Sequence, residues 1–302
     1  VQSFHAFSET YLIPLQLALA MLGMGATLRP RDFTNIVRDP RGLAIGLSLQ
    51  LILVPALALG ITEMLALGPG WSVGLFLVAV VPGGAFSNLM TFLGRGNVPL
   101  SISVTVASTA LCIVTVPLIL GILASSYLPA DFVFPRQRIA IEIAAYLLVP
   151  LVAGMSLLRF WNSVADAVSK WSIRGSMFLI GVITVSALGS GRIKVFEYGW
   201  QPPAIIILFG LSLAVVIPQA CRMLGRYDDD SLALGIEVIV RNVGVALLLV
   251  RFFFPETEMN GHVLYTCLFY AGISGFLAVP MLLSHRGGRS SVPFRRPKRR
   301  PA

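Results

Sequence analysis

The sequence predicts an all-α polytopic membrane protein, and three observations carry that prediction. The chain has 302 residues, 56% hydrophobic and only 12% charged, with a mean hydropathy of +0.82. Soluble domains carry roughly 25% charged residues. Half that proportion cannot coat the surface of a cytoplasmic globular enzyme, and the apolar fraction is too high for disorder. The second observation is length: apolar runs recur at about the 20 residues a helix needs to cross a bilayer, whereas barrel strands need only about 10 with alternating polarity. The third is charge. The net +9 resides in Lys and Arg placed between the apolar runs, a membrane pattern and not the footprint of nucleic-acid binding.

Nine spans are expected, at 10–28, 42–66, 71–93, 98–126, 138–158, 172–190, 202–225, 231–252 and 262–284. The first has no basic segment before it and no small-residue cleavage site after it, so no removable signal peptide is expected. With the N-terminus outside, 17 of the 23 Lys and Arg residues fall on the inner side. Arg136, Arg138, Arg192, Lys194 and Arg251 fall outside, and Arg241 lies within a span. The positive-inside rule therefore puts the C-terminus in the cytoplasm. Residues 287–302 form a Pro-, Gly- and Arg-rich tail, read as a stop-transfer flank or an attachment to anionic lipid. Asp228–Asp230 reads as a solvated loop before a helix. Cys112, Cys221 and Cys267 lie inside spans without metal-ligand spacing, so neither a disulfide nor a zinc site is expected.

Charges inside a span cost roughly 2.5–3.5 kcal/mol each even on the lenient insertion scale. Two sit together in the eighth run, Glu237 and Arg241 within IEVIVRNVGVALLLV. At i and i+4 they share a helix face and can pair. An ion pair that merely pins two helices is the alternative reading, disfavoured because apolar contacts do that as well. Asn242 and Gly244 follow, so an interruption is expected there. Glu142, near the outer end of its span beside Arg136 and Arg138, reads as interfacial.

The third run is broken by Pro82, Gly83 and Gly84, with Ser87 and Asn88 following at once. Backbone carbonyls freed by such a break must face protein or a wet cavity. Ser101 and Thr105 share a face of the next span, and Gln50 precedes Pro55 in the previous one. One interrupted span in each half of the chain points to a secondary transporter with inverted repeats and a midplane site. Glu237, Asn88, Ser87, Ser101, Thr105 and Gln50 supply the oxygen ligands that a dehydrated hard cation requires.

Three stretches carry a family resemblance: GMGATLRPRDF at 23–33, PGGAFSNLMTFLGRGNVPLSISVTVAST at 82–109 and EVIVRNVGVALLL at 237–249. Their order and spacing resemble the bile acid:sodium symporter family from about residue 10 to residue 284. The resemblance implies one transporter domain over residues 1–286, in two inverted repeats at 1–128 and 129–286. Spans 1, 5 and 6 would form a panel and spans 2–4 and 7–9 a core with two unwound crossing helices, the first helix of the ten-helix form being absent. One sodium site would use Ser87, Asn88, Ser101, Thr105 and Glu237. A second would use Gln50 and Glu237 with the backbone around Val238 and Val240; Arg241 stands where the family's remaining ligand is glutamine. Pro82, Gly83, Gly84, Arg241 and Asn242 are the expected substrate and coupling residues, with Arg241 either standing in for the second sodium as a tethered positive charge or pairing directly with a substrate carboxylate. Ala271 and Gly272 replace a His-Asn pair of the family.

The implied function is sodium-driven symport of an organic anion (bile-acid-like or a small carboxylate) by alternating access, coupled to one or two sodium ions, in a plasma membrane of bacterial inner-membrane type. Competing readings are a sodium-independent or proton-coupled carrier of the same fold, and an arsenite-type exporter binding metalloid at Cys112. A non-transporting sensor is another. An intramembrane enzyme is not supported: the sequence has no Gly-x-Ser-x-Gly, no His-Glu-x-x-His and no paired intramembrane aspartates.

Overall fold

The computed structural model describes residues 8–29, 39–129, 131–189, 193, 195–254 and 257–289. Twelve helices follow in order: α1 (Ile13–Gly25), α2 (Pro40–Met64), α3 (Pro69–Val80), α4 (Ala85–Gly94), α5 (Val98–Leu123), α6 (Arg136–Phe160), α7 (Asn162–Gly189), α8 (Val195–Tyr198), α9 (Gln201–Met223), α10 (Asp228–Ile239), α11 (Val243–Val250) and α12 (Glu258–Arg289). Six of them, α2, α5, α6, α7, α9 and α12, are long and apolar enough to cross a membrane. The third and eighth expected spans are each split into half-helices, α3/α4 and α10/α11. Arg31, Arg38, Arg192, Lys194 and the tail beyond Arg289 lie outside the described residues.

Proline sets much of this geometry. It occupies the first turn of α2, α3, α5 and α9, where its missing N–H is not needed. Pro14, Pro55 and Pro150 instead lie within continuous helix, and each follows a wide π turn: Ser8–Leu12, Leu49–Leu53 and Ala144–Leu148. A proline ring collides with the carbonyl four residues earlier; widening the preceding turn relieves the collision without ending the helix. Helix α7 starts ten residues before its expected span, because the polar segment Asn162–Lys170 continues the helix past the apolar stretch.

The helices pack in two groups. Helix α1 lies chiefly against α6 and α7. At its end a Cβ on Gly25 would collide with the Leu151 carbonyl, and one on Gly154 with the Leu22 carbonyl; paired glycines let the two backbones touch. In the second group α12 runs along α3, α9, α10 and α11, while α10 also meets α4 and α5. The groups meet where α1 touches α11 and α4, and where α6 touches α5. Every residue from Ser231 to Val250 is buried, as is all of Ser72–Gly84. Interrupted helices have unpaired backbone that lipid cannot satisfy, so they belong inside. Large side chains such as Ile141, Val152, Phe178 and Val185 are exposed on α6 and α7, as expected of lipid-facing surfaces.

The ends are tied by charge. Arg226 donates to both oxygens of Asp39 at 2.6 and 2.7 Å and to Asp230 at 2.8 Å, and Asn97 donates to the other Asp230 oxygen at 2.7 Å. Asp39 also caps α2, accepting from the Gly42 N–H at 2.9 Å. The Arg226 hydrogen bonds lower the Asp39 pKa. This corrects the expectation for Asp228–Asp230: they form the first turn of α10, where acidic residues suit the helix dipole, and Asp230 is anchored. At the other end Glu142 pairs with Arg251 and, at 3.5 Å, with Arg138.

Candidate functional site

The two breaks cross each other. Val81–Gly84 separates α3 from α4, and Val240–Asn242 separates α10 from α11. Gly83 and Arg241 form an antiparallel bridge. Flanking it, the Gly84 N–H donates to the Val240 carbonyl at 3.1 Å and the Asn242 N–H to the Pro82 carbonyl at 2.8 Å. Each break thus satisfies backbone groups that the other has freed. Tyr270 on α12 is fully buried and donates to the Ile239 carbonyl at 2.8 Å, satisfying a carbonyl at the end of α10.

Beside the crossing, Glu237 is wholly buried with its carboxylate ringed by hydroxyls. Ser87 donates to Oε2 at 2.5 Å, Ser101 to Oε2 at 3.2 Å and Thr105 to Oε1 at 2.6 Å. Asn88 makes no hydrogen bond to the carboxylate; its Oδ1 lies 2.8 Å from the Ser101 hydroxyl and 3.2 Å from that of Thr105, an alternative acceptor for the one proton each hydroxyl carries. Helix α4 supplies Ser87 and Asn88, α5 supplies Ser101 and Thr105 one turn apart, and α10 supplies Glu237. A Cβ on Gly83 would land on the Glu237 carboxylate, so glycine there is what lets the break approach the acid. The five residues of the first expected set are therefore assembled. Carboxylate, hydroxyl and amide oxygens in a water-poor setting suit a hard cation.

The second set is not assembled in this way. Gln50 is fully buried in the π turn of α2, and neither its amide oxygen nor its nitrogen has a partner. Val238 is buried in the last turn of α10, and the Val240 carbonyl is taken by Gly84. Arg241 departs further. The expected pairing with Glu237 is absent: α10 ends at Ile239, and Val240 leaves helical geometry at φ −90°, ψ 88°. Once the helix stops, i,i+4 spacing no longer puts two side chains on one face. Arg241 turns instead to the Val81 carbonyl, donating from Nη1 at 2.8 Å, while Nε and Nη2 have no partner. Each buried donor left unpaired costs about 1–3 kcal/mol, more when charged.

Arg241 and Asn242 line a cavity of about 510 Å³ between the crossing, α1, α7 and α12. Among the described residues lining it Arg241 is the one that carries charge, and most of the wall is apolar. Gln16 and Ser176 add polar groups, hydrogen-bonded to each other at 2.9 Å. Ala271 and Gly272 belong to the wall, and their small side chains leave it open. Sequence reasoning missed Gln16, Ser176, Tyr270 and Thr91, which donates to Ser101 at 3.3 Å. A glutamine in the apolar first run, and a threonine one turn after Ser87, were the available signals. Cys112 lies elsewhere: its thiol donates to the Thr109 carbonyl at 3.0 Å and it does not line the cavity.

A bundle of apolar helices with two broken members crossing beside a closed-in carboxylate and a cavity is a membrane transporter, not an enzyme. The family model of the sodium bile acid symporter family matches residues 14–192, and the chain belongs to that family. An uncharacterised sodium-dependent transporter of Bacillus subtilis, YocS, is 35% identical over 78% of this chain and 73% of its own length. Mouse sodium/bile acid cotransporter 4 is 31% identical over 84% of this chain and 58% of its own. The rat sodium-dependent organic anion transporter is 30% identical over 60% and 50%, respectively. The chain therefore spans between half and three quarters of the length of these relatives.

Proposed function

We propose that this protein is a symporter that moves an organic anion with sodium by alternating access. The observation that carries the reading is the convergence of Ser87, Ser101 and Thr105 on the buried Glu237 carboxylate at 2.5–3.2 Å, next to the crossing whose other side lines the cavity. An ionised carboxylate taken out of water costs several kcal/mol unless a counter-charge accompanies it. Sodium bound among these oxygens supplies that charge, with the hydroxyls turning their lone pairs toward the ion.

Sodium and anion are coupled through the shared backbone. The ion draws α4, α5 and α10 together around Glu237, and the same two breaks present Gly84, Arg241 and Asn242 to the cavity. Anion binding then strengthens sodium binding by the same factor that sodium strengthens anion binding. Helices α1, α6 and α7 act as the panel that rocks against the remaining helices, in keeping with their mutual packing. In this reading α3/α4 and α10/α11 each make one crossing, giving nine spans in two inverted repeats, with the N-terminus outside. A single sodium is carried per anion, because Arg241 has only donors to offer and cannot ligate a cation at the second position.

The test is uptake of labelled organic anions, from short carboxylates to bile acids, into proteoliposomes under an inward sodium gradient. Uptake that collapses when sodium is replaced by potassium supports the proposal. Uptake driven by a pH gradient and indifferent to sodium would make the Glu237 cluster a proton site instead. No uptake of any anion, with ligand binding intact, would favour a sensor. The position of the Cys112 thiol, turned to Thr109 and away from the cavity, gives no support to a metalloid exporter.

A further inference from the structure

Among the described residues, Glu237 and Arg241 are the two that are both charged and buried. They flank the end of α10 and belong to one broken segment, so they move as one body. The guanidinium makes no hydrogen bond to the carboxylate. Its Nη1 is held by the Val81 carbonyl at 2.8 Å, and its Nε and Nη2 are shielded and unpaired. The carboxylate is left to the hydroxyls of Ser87, Ser101 and Thr105. The two charges nonetheless attract through the dry interior, with the Tyr270 phenol beside the guanidinium. One negative and one positive charge cancel, so the empty crossing is neutral without any ion.

We infer that Arg241 is a tethered counter-charge that makes coupling obligatory: it leaves the crossing neutral when empty and when holding sodium with a monoanion, and charged when holding either alone. The inference rests on the transporter reading above and adds its control. The guanidinium keeps its proton and cannot leave. Sodium alone therefore brings the crossing to one positive charge, and a monoanion alone brings it to one negative charge. Carrying an unbalanced charge through a low-dielectric interior slows reorientation about 100-fold, on even the lenient insertion scale. The two neutral forms cross and the two half-loaded forms wait.

The geometry favours this role over a helix pin. A pin would bring the guanidinium onto the carboxylate, and here it is drawn away to the other broken helix, leaving the carboxylate oxygens to an ion. Without Arg241 the rule inverts. The empty crossing would carry the Glu237 charge, and the sodium-bound form would be the neutral one, free to cross without an anion. The membrane potential gives a second signature. One net charge moved per cycle changes the limiting accumulation about 50-fold per 100 mV, whereas a cycle of two neutral forms is indifferent to potential.

The experiment uses the full chain in proteoliposomes, with sodium-22 flux in the absence of any organic anion as the first readout. Wild type should leak little, Arg241→Gln should leak about 100-fold faster, and Arg241→Lys, which keeps the charge, should stay closed. Stabilisation of each variant by sodium over potassium shows that it is folded with its cation site intact. The second readout is sodium-driven uptake of labelled taurocholate, phenylacetate and gluconate by wild type, with and without a potassium–valinomycin potential of about 100 mV, a size that one moved charge would turn into a 50-fold change. Accumulation should be the same in both. A folded Arg241→Gln that leaks no faster than wild type overturns the inference, as does an Arg241→Lys that leaks like Arg241→Gln. Accumulation that rises about 50-fold with potential overturns it without recourse to any variant. In each of these cases sodium-driven uptake by wild type leaves the transporter reading standing; if wild type takes up no anion in any sodium gradient, both fall.

Discussion

Gly83 and Arg241 face each other main chain to main chain where two interrupted helices cross. One side of that bridge adjoins the Glu237 carboxylate and the other adjoins the cavity. A change at either side is therefore transmitted through a few atoms of backbone whose hydrogen-bonding groups have each other as partners.

Glu237→Gln is expected to abolish sodium-driven uptake while leaving the protein inserted and folded. The amide is isosteric and can still hydrogen-bond with Ser87 and Thr105, so the loss is one of charge. Uptake in proteoliposomes, with size-exclusion behaviour as the folding control, checks this. Transport at the wild-type rate would remove the cation site from Glu237.

Thr105→Ala should raise the sodium concentration for half-maximal uptake roughly tenfold, as loss of one hydrogen bond to a charged group implies. Thr105 touches the carboxylate directly at 2.6 Å. Asn88→Ala should have a similar or smaller effect, because its oxygen acts through Ser101 and Thr105. Maximal rates should change less than sodium requirement in both. If both variants keep the wild-type sodium curve, the cluster serves only to pack α4 against α5. The wild-type curve itself should have a slope near one.

Gly83→Ala and Gly272→Ala should behave oppositely. A methyl at Gly83 lands on the Glu237 carboxylate, whereas one at Gly272 meets nothing within 4 Å. Overpacking of a tight site costs typically 1–3 kcal/mol. Gly83→Ala should therefore lower the unfolding temperature and eliminate sodium stabilisation, and Gly272→Ala should leave both unchanged. Gly272→Trp should exclude bulky anions from the cavity while sparing the sodium response. Thermal unfolding with and without sodium reads all three.

Stability should fall in acid through Asp39. Its folded pKa is lowered from 3.8 by the Arg226 hydrogen bonds. A carboxyl depressed in the folded state contributes stability above its unfolded value, about 3.9, and loses it as pH falls through the folded value. Wild type should thus lose unfolding temperature below about pH 4 more steeply than Asp39→Asn, with the two curves converging at the acid end. Because Asp39 is 38% exposed, solvent screens the pair and the effect should be modest. Parallel curves would mean that the Asp39–Arg226 pair contributes nothing to folding.

The amino-acid sequence by itself determined that this is a bundle of membrane helices, where its third and eighth spans break, and which oxygen-bearing side chains accompany the breaks. Those properties are local: apolar run length, a Pro-Gly-Gly triplet, and a carboxylate that hydrocarbon would reject. Ser87, Ser101, Thr105 and Glu237 were legible as a set because they stand out against apolar neighbours. Only the tertiary structure decided that they converge within hydrogen-bonding distance, since Glu237 reaches them by the packing of α10 against α4 and α5 and by nothing in its own segment. The same holds for Gln16 and Ser176, which become cavity wall through the docking of α1 on α7. Arg241 shows the limit most clearly. Its spacing from Glu237 promised an ion pair, and helical periodicity would have delivered one. The helix ends at Ile239, the periodicity ends with it, and the guanidinium is aimed by the Val81 carbonyl of the other broken helix.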